Sequence, residues 1–164
     1  MDIVPGIPST DACVQIGSAA EAACTIACEC GCSERLRQAG LRATRQRMIL
    51  GDLLFANGDR HVTAEMLFSE AREVGVEISL ATVYNTLNQF TEAGLLRRIG
   101  FDGLRSFFDT NTSVHPHFYL DDQDILIDIP EPGTVLQSMP QLQLLPGHEL
   151  SRIDVVIHLR RKQG

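Results

Sequence analysis

The chain has 164 residues, 44% of them apolar and 21% charged, which is enough length to bury roughly 70% of the unfolded surface. A disordered or fibrous protein is excluded, and apolar runs such as Ile125-Leu126-Ile127 fall far short of the ~20 residues a membrane-spanning helix needs. Fourteen bases against 21 acids give a net charge of −7, which by itself argues against a nucleic-acid partner.

The distribution of charge reverses that argument. Residues 1 to 32 hold four acids and no base, residues 33 to 109 hold ten of each, and residues 110 to 164 hold four bases and seven acids. Within the neutral middle, Arg35, Arg37, Arg42, Arg45, Arg47 and Arg60 cluster before residue 61, and Arg97, Arg98 and Arg105 face only Asp102 between residues 95 and 108. Local basic patches survive an acidic total, as phosphate contact requires.

All five cysteines, Cys13, Cys24, Cys28, Cys30 and Cys32, fall in the first 32 residues. This placement excludes a disulfide framework through the core. Residues 1 to 32 mix Pro, Gly, Ser, Ala and acids without a sustained period and read as a flexible arm. Their lack of a basic start or of Arg argues for a reducing cytoplasm rather than an exported chain. Cys24, Cys28, Cys30 and Cys32 crowd together where structural zinc prefers two separated pairs. Solvated reactive thiols are the simplest reading, with redox sensing or capture of haem or metal as the alternatives.

Ordered elements begin at Ser33, which caps a short helix ended by Gly40. Thr44 caps a second helix with Ile49, Leu50, Leu53 and Leu54 as its apolar stripe, stopped by Gly58. Thr63 caps a third over residues 64 to 74, with Glu65 at its positive end and Leu67, Ala71 and Val74 at helical spacing. A fourth, capped by Ser79 and ended by Gly94, buries Leu80, Val83, Leu87 and Phe90. Its other face, Thr82, Tyr84, Asn85, Asn88 and Gln89, carries no charge. Amides, Thr and Tyr are the side chains that read base edges and thymine methyls in a major groove; a polar face against a partner protein is the alternative.

Leu95 to Ile99 and Leu104 to Phe108 flank Gly100-Phe101-Asp102-Gly103, a hairpin connection. Helices followed by a hairpin make a winged helix-turn-helix over residues 33 to 109. Its wing places Arg97, Arg98 and Arg105 against phosphates, and Arg42 and Arg45 stand at the junction of the first two helices. After Asp109, strands at 117–120, 125–129 and 153–159, with one short helix between Pro130 and Pro146, form a small α/β unit over residues 110 to 164. So few strands leave edges and apolar faces that a second copy would cover. The fold class is therefore α+β.

His115-Pro116-His117 puts two imidazoles on one face of an extended chain. Asp109, Asp128 and His61 supply company for a mixed nitrogen and oxygen site suited to iron(II), manganese(II) or zinc(II); ordinary polar roles are the alternative for the histidines. On this reading His61 is the ligand from the winged helix and the others come from the hinge and the second unit. The same residues are compatible with a metallohydrolase, but Phe118, Tyr119 and Leu120 follow where such sites extend the histidine pair, and no positioned base or nucleophile is evident. An enzyme is not expected.

Gly40-Leu41-Arg42-Ala43-Thr44-Arg45-Gln46-Arg47, His61-Val62-Thr63-Ala64-Glu65, Ser79 through Leu87, Phe108-Asp109 and His115-Pro116-His117 together resemble the ferric uptake regulator family over residues 33 to 162. Asp109-Thr110-Asn111, Ile127-Asp128-Ile129-Pro130 and the ending Asp154 through Lys162 are most similar to the iron response regulator branch of rhizobia and related α-proteobacteria. The resemblance implies a cytoplasmic, dimeric, metal-linked repressor of iron and haem metabolism genes acting on a double-stranded DNA operator. Haem or haem-biosynthesis machinery is a further partner, and a metal or haem carrier without operator binding is the alternative function. Tyr84 matches the base-contacting Tyr, Arg42 a minor-groove residue, and His61, Asp109, His115, His117 and Asp128 the regulatory metal site, with His115 and His117 as haem ligands. The chain departs from the family in lacking a Cys-x-x-Cys in the second unit, so a structural zinc is not expected. It departs from the branch in lacking a Cys-Pro pair in the arm and in having Pro116 within what is otherwise a run of three histidines.

Overall fold

A computed structural model of the chain describes residues 31–101, 105–130, 133 and 143–162, all within a unit that runs from Gly31 to Gly164. Four helices come first: α1 (Gly31–Gln38), α2 (Arg45–Phe55), α3 (Ala64–Glu73) and α4 (Leu80–Glu92). Thr44, Thr63 and Ser79 stand at the starts of α2, α3 and α4 in extended conformation, and each side-chain oxygen accepts an amide from the first turn. Those bonds satisfy donors that a helix start leaves unpaired. Gly40, Gly58, Gly75 and Gly94 then take positive φ just past the helix ends, a conformation that costs a glycine little and other residues about 1 kcal/mol.

Two small sheets follow. The first joins β1 (His61–Val62), β3 (Arg105–Asp109) and β2 (Arg97–Phe101) in the order β1-β3-β2, all antiparallel. The second joins β5 (Ile125–Asp128), β4 (His117–Leu120) and β6 (Val156–Leu159) in the order β5-β4-β6, with β4 antiparallel to β5 and parallel to β6.

Strand alternation decides what each sheet faces. On one face of the first sheet, Val62 and Phe108 enter the helical core with Leu36, Leu50, Leu54, Leu67, Val83, Leu87 and Phe90. On the other, Ile99 and Phe107 pack with Leu126, Tyr119 and Val156 of the second sheet. The winged helix and the α/β unit therefore share a small core of their own. The far face of the second sheet aligns Phe118 and Leu120 with Ile125, Ile127, Ile157 and Leu159 in register, and Ile125, Ile127 and Leu159 remain exposed.

Several expectations are adjusted by these packings. α1 begins at Gly31 rather than after Ser33, and Cys32 is buried against Leu36, Leu50 and Leu54 rather than solvated. The sulfur fits because Gly51 of α2 has no side chain there. Val74 is exposed, lying beyond the end of α3 where the turn has left the core. The last strand is shorter than expected and starts at Val156. Cys13, Cys24, Cys28, Cys30 and the helix expected between Pro130 and Pro146 lie outside the described residues, apart from Gly133, which is helical.

Candidate metal centre and nucleic-acid interface

His61 opposes Asp109 across β1 and β3, and His117 opposes Asp128 across β4 and β5. Both pairs point between the sheets, and His115, two residues before His117, joins them. One donor atom from each of His61, Asp109, His115, His117 and Asp128 lies within 4.8 Å of every other. The three Nε2 atoms approach Asp128 Oδ1 at 3.0 Å from His61, 3.0 Å from His115 and 3.4 Å from His117. They approach Asp109 Oδ2 at 3.6, 3.2 and 3.4 Å respectively.

The hydrogen bonding identifies what these atoms are for. Asp109 is fully buried; its Oδ1 accepts the Asn111 amide at 2.8 Å, but Oδ2 has no hydrogen-bond partner. The Nε2 atoms of His61 and His117 are buried and equally unsatisfied. Leaving such a group without a partner costs on the order of 1–3 kcal/mol, and here three converge on one point, which a coordinated cation would satisfy at once. Burial favours the neutral carboxyl of Asp109, yet the imidazoles of His117 and His61 beside Oδ2 and the Asn111 amide on Oδ1 outweigh it and hold the group well below the ordinary carboxylate range. The anion is thus present to bind a cation. His115 Nδ1 lies 3.1 Å from the Ser113 carbonyl and Nε2 lies 3.0 Å from Asp128 Oδ1; a carbonyl only accepts, so Nδ1 carries a proton, and a cation taken at Nε2 would replace the contact to Asp128. Three imidazoles and two carboxylates suit iron(II), manganese(II) or zinc(II) better than metals that prefer thiolates.

One inference from the sequence needs revision. His61 is not the winged helix's sole contribution, because Asp109 belongs to the same sheet and is its register partner. The centre draws two donors from the first sheet and three from the second unit.

The arginines separate into those exposed to solvent and those engaged within the fold. Arg42, Arg45 and Arg98 are exposed. Arg98 donates to Ser106 Oγ at 3.0 Å across the wing. Arg97 is a correction: only 8% exposed, it is bound to Asp154 and two carbonyls and is unavailable to phosphate. Neighbours on a strand point to opposite faces, so Arg97 looks toward the second sheet and Arg98 away from it. Arg105 is in β3, but its side chain, like residues 102–104, lies outside the described residues. Arg60 is paired with Glu70.

On α4, Tyr84 and Asn85 are exposed, and the Tyr84 hydroxyl donates to Glu65 of α3 at 2.8 Å. Thr82 is half-buried, its hydroxyl 2.8 Å from that of Ser79. Gln89 is engaged by Arg47, whose Nε and Nη2 lie 3.1 and 2.9 Å from Oε1, while Nη1 donates to the Arg42 carbonyl at 2.8 Å. Arg47 thereby links the polar face of α4 to the start of α2. Sequence reasoning missed this role, as it missed Asp154, because partners 42 and 57 residues apart leave no periodic signal, and it missed Ser113, whose role is played by its backbone carbonyl.

The class of protein is now defined: a winged helix joined to a small α/β sheet unit, with a cluster of nitrogen and oxygen donors that could hold a metal ion at the junction. The model of the ferric uptake regulator family matches residues 38–139, and the chain belongs to that family. It is 30% identical over 132 residues, 80% of this chain and 98% of the relative, to the ferric uptake regulation protein of Pseudomonas aeruginosa. A shorter match at 42% identity, to the protein of the same description from Shigella flexneri, covers 52% of this chain and 57% of that relative. Among solved structures, the ferric uptake regulator of Vibrio cholerae shares 28% identity at a TM-score of 0.66, covering 79% of this chain and 98% of that one. The Pseudomonas aeruginosa regulator with manganese shares 29% at 0.59, covering 80% and 98%.

Proposed function

We propose that this chain is a dimeric transcription regulator whose binding to operator DNA is controlled by a divalent metal ion held by His61, Asp109, His115, His117 and Asp128. The carrying observation is that these five donors come from both sheets and meet within 4.8 Å with three buried atoms left unsatisfied. A bound ion ties the winged helix to the α/β unit in one arrangement. Tyr84, Asn85 and Thr82 read bases, and Arg42, Arg45, Arg98 and Arg105 meet the backbone. The exposed apolar face of the second sheet supports pairing with a second copy. The genes controlled are those of iron and haem metabolism, with repression as the expected sign, as the likeness of residues 109–111, 127–130 and 154–162 to the iron response regulator branch suggests.

The test is selection from a random duplex library by the full chain, with manganese(II) and with chelator, followed by anisotropy on the recovered sequence. Metal-dependent enrichment of a palindromic site that His117→Ala abolishes supports the reading. Tight metal binding without enrichment of any sequence would instead establish a metal carrier. Haem at His115 or His117 would have to open the cluster, so haem and manganese should exclude one another and haem should release DNA.

A further inference from the structure

Arg97 begins a strand of the wing, yet its guanidinium turns inward and meets three acceptors. Nη1 donates to the Ser113 carbonyl at 2.7 Å, Nη2 to the Ile153 carbonyl at 2.9 Å, and Nη2 and Nε to Asp154 Oδ1 at 2.6 and 3.2 Å. None of these partners is a metal donor, but Ser113 and Asp154 each lie one step from one. The Ser113 carbonyl is the same oxygen that accepts from His115 Nδ1 at 3.1 Å. Asp154 precedes Val155, whose carbonyl accepts the His117 amide at 2.9 Å. Arg97 itself is the register partner of Asp109 across β2 and β3.

We propose that Arg97 is a positioning residue of the metal centre. It anchors the carbonyl that holds His115 Nδ1 and clamps the segment whose Val155 carbonyl accepts the His117 amide, so the imidazoles are aimed before an ion arrives. The proposal rests on the metal-centre reading above.

The chemistry explains why Arg is needed. A carbonyl taking a charged N–H keeps a second lone pair for His115 Nδ1–H, so the guanidinium and the imidazole share one oxygen. Only a planar fork reaches Ser113, Ile153 and Asp154 together; an ammonium is a single point of charge. Asp154 compensates the buried cation, and its second oxygen accepts from Arg152, which in turn donates to the Arg98 carbonyl. The network therefore runs from the wing backbone to the histidines. Outer partners of metal-binding histidines of this kind fix ring orientation and tautomer.

The test uses the full chain as Arg97→Gln and Arg97→Lys, with Arg98→Gln as control. Two quantities are read: manganese(II) affinity by competition with a chromophoric chelator, and the tautomer of His115 in the metal-free protein by long-range ¹⁵N–¹H spectroscopy. Arg97→Gln should lower affinity by about 10- to 100-fold, the range for outer partners of metal ligands, and reduce the share of His115 that carries a proton on Nδ1. Arg97→Lys should recover only part of either loss, and Arg98→Gln should change neither. Affinity within about twofold of the parent, with His115 still wholly Nδ1–H, overturns the proposal. If Arg97→Gln does not fold, Asp154→Asn decides: it keeps Arg97 and should still weaken manganese binding several-fold, and an unchanged affinity overturns the proposal. A parent chain that binds no manganese would sink the metal-centre reading, while the His115 tautomer would still show whether Arg97 sets it.

Discussion

Gly51→Ala should lower stability although helix propensity predicts the reverse. In the interior of α2, replacing Gly by Ala ordinarily stabilises by about 1 kcal/mol. Here a Cβ on Gly51 would lie 2.3 Å from Cys32 Sγ, far inside contact distance. Cys32 is only 5% exposed within the helical core, and its Sγ donates to the Met48 carbonyl at 3.7 Å. Moving the sulfur means breaking that bond and pressing on Leu36, Leu50 and Leu54, and overpacking of this kind costs about 1–3 kcal/mol. Set against the propensity gain, the net loss is on the order of 1 kcal/mol, or roughly 3–5 °C in Tm for a unit of this size. Removing the sulfur should reverse the sign: in a Cys32→Ala background, Gly51→Ala should stabilise by about 1 kcal/mol, giving an interaction energy near 2 kcal/mol for the pair. Urea denaturation of the four reduced, metal-free proteins followed by circular dichroism measures the cycle. Finding the single Gly51→Ala protein more stable than the parent would refute the packing argument, and additivity of the two changes would remove Cys32 as its cause.

Tyr84→Ala should weaken operator binding by about 1–3 kcal/mol, the scale for one base-edge contact, and leave random DNA unaffected; equal losses on both would take Tyr84 off the bases. Arg98→Ala should weaken both DNAs alike and flatten the dependence on salt, and an unchanged salt slope in anisotropy would count against it. Burial favours a neutral Asp154, but hydrogen bonds from Arg97 and Arg152 overcome it and lower its pKa. Such a group stabilises the fold above its unfolded value of about 3.9 and loses that contribution as pH falls through the lowered value. The stability gap between parent and Asp154→Asn should therefore be full at neutral pH and close on acidification below about pH 4; a gap independent of pH in urea titrations would contradict the ion pair.

Helix starts were legible in the sequence because capping is local: Thr44, Thr63 and Ser79 each accept the amide three residues on. The clustered donors were legible as residue types, since His115 and His117 stand two residues apart on extended chain and so share a face at any register. Their division between the units was not, because β1 is two residues long and carries no periodic pattern from which to pair His61 with Asp109. The fate of Arg97 was hidden for a related reason. Two consecutive arginines look alike as charge, and only the register of β2 on β3 says which one turns inward. Cys32 was misplaced because the evidence for its burial lies in the missing side chain of Gly51, 19 residues away.

If the five donors hold an ion as proposed, the alternation along β3 explains how that ion would act on a helix that never touches it. Phe108 packs into the core with Val83 and Leu87 of α4, while its neighbours Phe107 and Asp109 face the second sheet. The opposite side of α4 carries Tyr84 and Asn85. Fixing Asp109 and His61 on an ion therefore fixes the first sheet, and through Phe108 the sheet carries α4 with it as one packed body. A close-packed core does not deform gradually, so the ion selects the orientation of the whole winged helix and leaves its inner geometry unchanged. Thermodynamic linkage then requires DNA to tighten metal binding by the same factor by which metal tightens DNA binding. Because the first sheet supplies two donors, that coupling has two anchors on the winged helix, so removing His61 alone weakens it while Asp109 still holds the sheet to the ion.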